Sequence, residues 1–513
     1  MKTWKAILAL MLVICMMTAL FAACSKSGES ENPGSNPGGS PATVDNVDPE
    51  DVTDINVYYF TSGGFVNDKT AVEEAINAIS EKKAGVHVTL NPYDIGAYMG
   101  TMPVSMGAGE RIDVMVRAFG PLGFAALCAN KQMMPLDDLL DTYGKELKEE
   151  VGPYLEALRV DGQLYGIPPY RVYNANVYLA MRADMLREMG LYEKAQTVHT
   201  WSEYEEILQA VKDNYTGVYG TILGVDTENF ILCGDDFSES YSYDNCGDTS
   251  RIVGAFDDQM KCIFDVDDKV DQLMRYTKWM NAGYVYPDSP YITEIGSSYV
   301  KQGVVFSEVV ISEVGVETAR LNATGFENLC VEVAPIAIGT SQVQKFGVSI
   351  PVTCEEPEAV MKFLNLLYTD KEVANLFILG IEGTDYVIGE SGEADFVNGD
   401  RATAQYHMDE YALGNQFILH PWAGQGANFR ETSLANMKAA PLSPYFGFAL
   451  DANGMDNTIA AMNAVMDEVS KSLFGGICDD ALLERTRSKL KTAGIDEYVG
   501  AMQEQLDAWL ASK

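Results

Sequence analysis

The chain has 513 residues, enough for two to four ordinary domains, and nearly half of them (47%) are hydrophobic. Acids outnumber bases 74 to 36, giving a net charge of −38. That balance excludes general attraction to nucleic-acid phosphates and adsorption to anionic head groups, and the low charged fraction excludes disorder for the bulk of the chain.

Residues 1–23 read as a leader. Lys2 and Lys5 precede an apolar run, and Ala22 and Ala23 stand before Cys24. The order resembles a bacterial lipoprotein signal, in which the cysteine is acylated and becomes the new N-terminus. Phe21 departs from the leucine usual three residues before that cysteine. An ordinary signal peptide and a retained membrane helix stay open as alternatives. Residues 24–53 then form a lipidated Cys24 and a disordered linker rich in Ser, Gly, Pro and Asn. Such a tether spans on the order of 25–30 Å.

The body starts with a β-rich run at residues 55–60. Thr70 and Glu73 are spaced as a capping box, with Val72, Ile76 and Ile79 on one helical face. Residues 86–90 and 112–116 read as further strands. Strand, helix, strand, helix, strand predicts a parallel sheet covered by helices, an α/β fold. Thr200 and Glu203 predict the start of a helix carrying Tyr204, Leu208 and Val211 inward. Pro357 predicts another, and Ile495, Val499, Met502, Leu506 and Trp509 predict a closing amphipathic helix.

Nine cysteines include Cys15 in the leader and Cys24. The remaining seven form no C-x-x-C pair and cannot all pair within one chain, which points to buried free thiols. Cys233 with Cys246 is the disulfide to test first.

Most signatures of catalysis are missing, and acid pairs of the glycoside-hydrolase kind stay open among 74 acids. The four histidines, His87, His199, His407 and His420, make no H-E-x-x-H. The string Gly347-Val348-Ser349-Ile350-Pro351 lacks the second glycine of a nucleophile elbow. There is no P-loop, and Asp265, Asp267 and Asp268 fail the calcium-loop pattern. No cofactor and no metal are expected. Aromatic residues, in contrast, sit in Gly- and Pro-rich loops: Phe60 before Ser62, Phe119 before Gly120, Tyr170 and Tyr173 around Arg171, and Trp422 before Gly424. Flat rings with a polar tip suit the apolar faces and hydroxyl edges of sugars.

Several segments in order resemble the family 1 extracellular solute-binding lipoproteins of ABC importers, in their long Gram-positive form. They are Asp161-Gly162-Gln163-Leu164-Tyr165-Gly166-Ile167-Pro168, the stretch from Tyr178 to Leu191, Thr200-Trp201-Ser202-Glu203-Tyr204, Phe363 to Asp370 with Gly380-Ile381-Glu382-Gly383, Gly414-Asn415-Gln416-Phe417, and Ser443 to Phe448. The resemblance implies a two-lobed, periplasmic-binding-protein-like α/β fold with a hinge. Residues 54–168 plus 335–380 are expected as lobe I, and 169–334 plus 381–513 as lobe II. Crossings are expected near residues 167–170, 334–336 and 379–383. It further implies a monomer on the extracellular face of the membrane that captures a small solute, an oligosaccharide above all, by hinge closure. The solute passes intact to ABC permease subunits. A secreted polysaccharide-acting hydrolase and a surface adhesion or sensory module are the alternatives. Candidate ligand contacts are Phe60, Ser62, Arg117, Phe119, Tyr170, Arg171, Tyr173, Glu308 and Trp422, with a hinge salt bridge as the competing role for Arg171.

Overall fold

The computed structural model describes residues 52–223, 231–232, 234–248, 250, 252–292, 294–452 and 454–513. The leader, Cys24, the linker to residue 51 and Cys233 lie outside the described residues. The described residues all belong to one compact unit, Asn46–Lys513.

In chain order the main elements are β1 (Thr53–Thr61), α1 (Thr70–Ala84), β2 (Val86–Asp94), α2 (Ile95–Ala108), β3 (Val114–Val116), β4 (Asn176–Arg182), α3 (Trp201–Asn214), β5 (Tyr219–Thr221), α4 (Asp267–Ala282), β6 (Val305–Ser312), α5 (Val316–Thr324), β7 (Asn328–Pro335), β8 (Val348–Ser349), α6 (Pro357–Thr369), α7 (Phe429–Ala439) and α8 (Ile495–Ser512). Two four-stranded sheets organise them. The first has the order β8-β3-β1-β2 and the second β7-β4-β6-β5.

The first sheet is parallel across β1, β2 and β3, as strand–helix alternation requires, with β8 antiparallel at its edge. Ile55, Val57 and Tyr59 of β1 and Val86, Val88 and Leu90 of β2 are buried. The expected capping box at α1 does not form. Lys69 is the N-cap residue, and its ammonium has no acceptor for the helix N–H groups, while Glu73 Oε2 is taken by the Leu90 N–H at 2.6 Å. At α3 the cap does form: Thr200 Oγ1 accepts the Glu203 N–H at 3.1 Å. Pro357 opens α6, where its missing N–H costs nothing.

The second sheet is mixed. β4 pairs antiparallel with both β6 and β7, and only β5 runs parallel to β6. Its core holds Val177, Leu179 and Met181 against Trp201, Tyr204 and Trp279. A further core joins the hairpin of Val253–Phe256 and Gln259–Cys262 to the C-terminal helices through Met462, Leu473, Tyr498 and Met502. α4 serves both, giving Leu273 to one and Tyr276 and Trp279 to the other.

Core membership locates the crossings. Tyr173 packs in the first core and Val177 in the second sheet's core. Ile336 packs with the second sheet and Ile338 with the first. The third crossing is not at residues 379–383. Tyr386, Ala394, Tyr406, Leu413, Leu419 and Met437, expected in the second lobe, all share the first core with Leu379. The next fully buried core residue after Met437 is Tyr445, in the core of the C-terminal helices, while Ala440 and Phe446 still pack against the first core. The physical reason is a turn. Asp385 accepts the N–H groups of Ile381, Gln405 and Tyr406 at 2.8, 2.8 and 3.0 Å, folding this stretch back on itself. The last two crossings are bonded together: Ile338 N–H donates to the Pro441 carbonyl and Ser443 N–H to the Ile338 carbonyl, each at 2.9 Å.

Cys128, Cys246, Cys262, Cys330, Cys354 and Cys478 are free thiols. Burial pushes Cys128 and Cys478 up to about 11, so they stay protonated and inert. No helix among the described residues is long and apolar enough to cross a membrane.

Candidate functional site

Ligands of open α/β sheets bind beyond the carboxyl ends of the strands. β1 ends at Thr61 and runs into Ser62-Gly63-Gly64. Asp409, itself buried, fixes this loop by accepting the N–H groups of Ser62, Gly63 and Gly64 at 2.6, 3.0 and 2.8 Å. Such charge-assisted bonds are about twice as strong as neutral ones. Gly64 is required by close approach, since a Cβ there would lie 2.3 Å from the His407 carbonyl oxygen. The pinned loop places Ser62 Oγ 2.5 Å from the Tyr411 hydroxyl.

Behind it lies an aromatic platform. Phe346 packs against Phe60 (5.9 Å between centroids), Tyr411 (5.1 Å) and, edge on, Phe119 (6.4 Å). Phe119 is 52% exposed and forms the open rim. Phe346 has φ +69°, a left-handed backbone costly for a bulky residue, followed by Gly347 at φ +80°. Arg117 holds this turn. Its buried guanidinium donates to the Phe346 and Val348 carbonyls and to Ser349 Oγ at 3.0 Å, and it lies over the Phe124 ring. Burial pulls this guanidinium down to about 10.

The polar side of the site centres on Arg171. It donates to the Val172 and Gln342 carbonyls at 2.9 and 3.2 Å and lies 5.6 Å from the Tyr173 ring. Its buried Nε has no hydrogen-bond partner among the described residues. Burial lowers its pKa, and Tyr173, Glu313 and Tyr411 act electrostatically against that fall. Glu313 follows the end of β6, so this arginine stands between the two sheets. Next to it, Glu410 pairs with Arg430 at 2.8 Å and accepts from Trp422 Nε1 at 2.6 Å. Trp422 is thereby held against Phe396 and His407, at 4.9 and 5.2 Å. A cavity of about 440 Å³, to which Glu313 contributes, lies between residues 311–315 and Gln425 and Phe429 at the start of α7.

The structure therefore brings Ser62, Phe119 and Arg171 together around Phe346 and Tyr411, with Trp422 joined to them through Glu410. Phe60 is the buried underside of the platform, and Tyr170 and Tyr173 are buried at the first crossing. Arg117 faces inward as a clamp on backbone carbonyls. Glu308 stands apart: it is 3% exposed in the middle of β6 and pairs with Arg320 at 3.1 Å. Sequence reading missed Phe346, Asp409, Tyr411, Glu313 and Glu410. Tyr411, an aromatic residue close to Gly414 in a loop, carries the same signal that singled out Trp422.

Comparison with known proteins finds relatives of this fold. A carbohydrate ABC transporter substrate-binding protein of Streptococcus pneumoniae (serotype 4) is 24% identical over 458 residues, covering 85% of this chain and 87% of its own. The crystal structure of an N-glycan transport solute-binding protein from S. pneumoniae superposes with a TM-score of 0.72 at 20% identity, covering 89% of this chain and 99% of that one. An HMO-binding, ABC-transporter-associated solute-binding protein from Bifidobacterium longum infantis superposes with a TM-score of 0.62 at 16% identity, covering 89% and 99%. These share the two-lobed fold. Residues 444–511 match a model described only as a domain of unknown function. Residues 74–386, more than half of the chain, match the model of the bacterial extracellular solute-binding proteins, and the chain belongs to that family.

Proposed function

We propose that the protein is the membrane-anchored substrate-binding component of a carbohydrate ABC importer, and that it captures an oligosaccharide between its lobes. The observation that carries this reading is the platform of Phe119, Phe346 and Tyr411, edged by the Ser62 hydroxyl and Arg171 at the carboxyl end of the first sheet. A pyranose offers an apolar C–H face to such rings and hydroxyls to such an edge. The described functions of its relatives agree: one is named for carbohydrate transport, and the N-glycan transport protein has been crystallised with Man1GlcNAc and with Man5GlcNAc.

The mechanism follows from two lobes and a hinge. Solute in the open form touches one lobe and in the closed form both. That differential contact, and nothing else, shifts the population toward closure. Residues 54–168 and 338–437, which share one core, belong to lobe I in this reading. Residues 177–336 and 445–513 make lobe II. The closed form, a monomer tethered through lipidated Cys24, is what the permease subunits receive. The solute leaves chemically unchanged.

The test is a thermal-shift screen of oligosaccharides against the mature protein. A solute at a hundred times its Kd adds about 2.7 kcal/mol of stability. A saturable shift with unaltered sugar supports the reading. Cleaved sugar would make the protein a hydrolase. Binding with unimpaired uptake in a deletion strain would make it an adhesion or sensory module. Release of a Cys24→Ala variant from the membrane fraction tests the anchor.

A further inference from the structure

A second cavity, of about 560 Å³, is walled in part by two of the crossing segments. In the second sheet β4 is flanked by β6 on one side and β7 on the other. The 440 Å³ cavity borders the end of β6, whereas this cavity borders the chain that continues β7, at Ile336, Ala337 and Gly339. The two share no lining residue. The opposite walls come from Tyr243 and Asp244, the hairpin residue Phe256, and the third crossing at residues 443–445.

The lining has a definite chemistry. Tyr243 and Phe256 form a stacked pair, 5.2 Å apart with 22° between planes. Tyr241 and Tyr445 add two more rings. The charged groups on the wall are Asp244 and Asp257, and no described lysine, arginine or histidine lines it. Asp244 Oδ1 accepts the Cys246 N–H at 2.8 Å, while its buried Oδ2 makes no geometrically sound hydrogen bond among the described residues. Burial pushes this carboxyl up, offset in part by the Ser443 hydroxyl. The crossing chain comes close to it: a Cβ on Gly339 would lie 3.0 Å from Asp244 Oδ2.

We propose that this cavity is a second binding site, for a small organic cation such as a primary or quaternary ammonium group. A cation supplies the counter-charge that the Asp244 carboxylate lacks, and the ring faces attract it further. An anion meets two carboxylates and no base. A neutral polyol stacks on the rings but leaves the buried charge uncompensated. Because two of its walls are crossing segments, occupancy braces the hinge. The inference does not depend on which solute the cleft holds.

The experiment titrates the mature protein with tetramethylammonium chloride and with ethanolamine hydrochloride, by calorimetry and thermal shift. Sodium chloride at equal ionic strength and glucose are the controls. Saturable binding of the organic cations alone is expected. Asp244→Asn should weaken it by about tenfold or more, the loss of a charge-assisted contact. Ser341→Phe, which fills the cavity and keeps the carboxylate, should weaken it likewise and decides the matter if Asp244→Asn does not fold. Absence of saturable cation binding, equal binding of glucose, or binding untouched by the folded variants overturns the proposal.

Discussion

The Tyr498 hydroxyl donates to Asp248 Oδ1 at 2.8 Å, joining residues 250 positions apart. Both side chains are buried. Asp248 also accepts from the Ser250 hydroxyl at 2.8 Å and from the Ile252 and Val253 N–H groups at 3.2 and 3.1 Å. One carboxylate therefore ties α8 to the hairpin of the second lobe. Tyr498→Phe removes one donor from a buried acceptor and should cost about 1–3 kcal/mol. Chemical denaturation would show a lower midpoint with unchanged solute affinity. Asp248→Ala, which strands several donors at once, should cost more.

Asp409 predicts a different split. Its three backbone bonds shape the Ser62-Gly63-Gly64 loop from a buried position. Asp409→Ala should therefore weaken solute binding as well as stability, since the loop must be ordered anew on each binding event. Calorimetry of the variant should show a less favourable binding entropy. Intact affinity would mean that the loop makes no contact with solute.

Arg117 and Tyr411 form a contrasting pair. Arg117→Met leaves the Phe346 and Val348 carbonyls without their donor and should cost on the order of 3 kcal/mol. Tyr411→Phe removes a hydroxyl at the rim, next to Ser62, and should leave the melting temperature almost unchanged while lowering solute affinity. Measured side by side, the two variants separate what builds the platform from what reads the solute.

His407 gives the pH dependence. It lies among Phe65, Phe396 and Trp422, its buried Nδ1 has no hydrogen-bond partner among the described residues, and burial holds its pKa below the ordinary 6.5. The unfolded chain binds a proton there before the folded one does. Stability is full above the unfolded value and is lost as pH falls through it toward the folded value. Asp137, Asp184 and Asp370, all held below the usual carboxylate range in spite of some burial, lose stability in the same direction at lower pH. The melting temperature should fall on acidification from neutral pH, and His407→Phe should flatten the first part of that fall.

Elements whose signals are local were legible in the sequence. The alternation in β1, the Thr200 cap, Pro357 and the apolar stripe of α8 each depend on neighbours within a turn or two. Thr70 and Glu73 have the right spacing for a cap, yet the Glu73 carboxylate is captured by Leu90, seventeen residues on. Gly380-Ile381-Glu382-Gly383 reads as a crossing, but Asp385 folds it into a turn by bonds that span up to 21 residues. Of the site, the exposed loop aromatics were visible and the buried organisers were not. Nothing near Phe346 announces its left-handed backbone, which is imposed by Arg117 from 229 positions away.

The pairing of Ile338 with Pro441 and Ser443 has a mechanical consequence. Two strips of backbone laced side by side bend readily across their width but resist being twisted or slid past one another. In the proposed clamping mechanism, lobes joined in this way swing like a door on one pin. A solute captured as proposed would meet the second lobe along a fixed arc, with little orientational searching left to do.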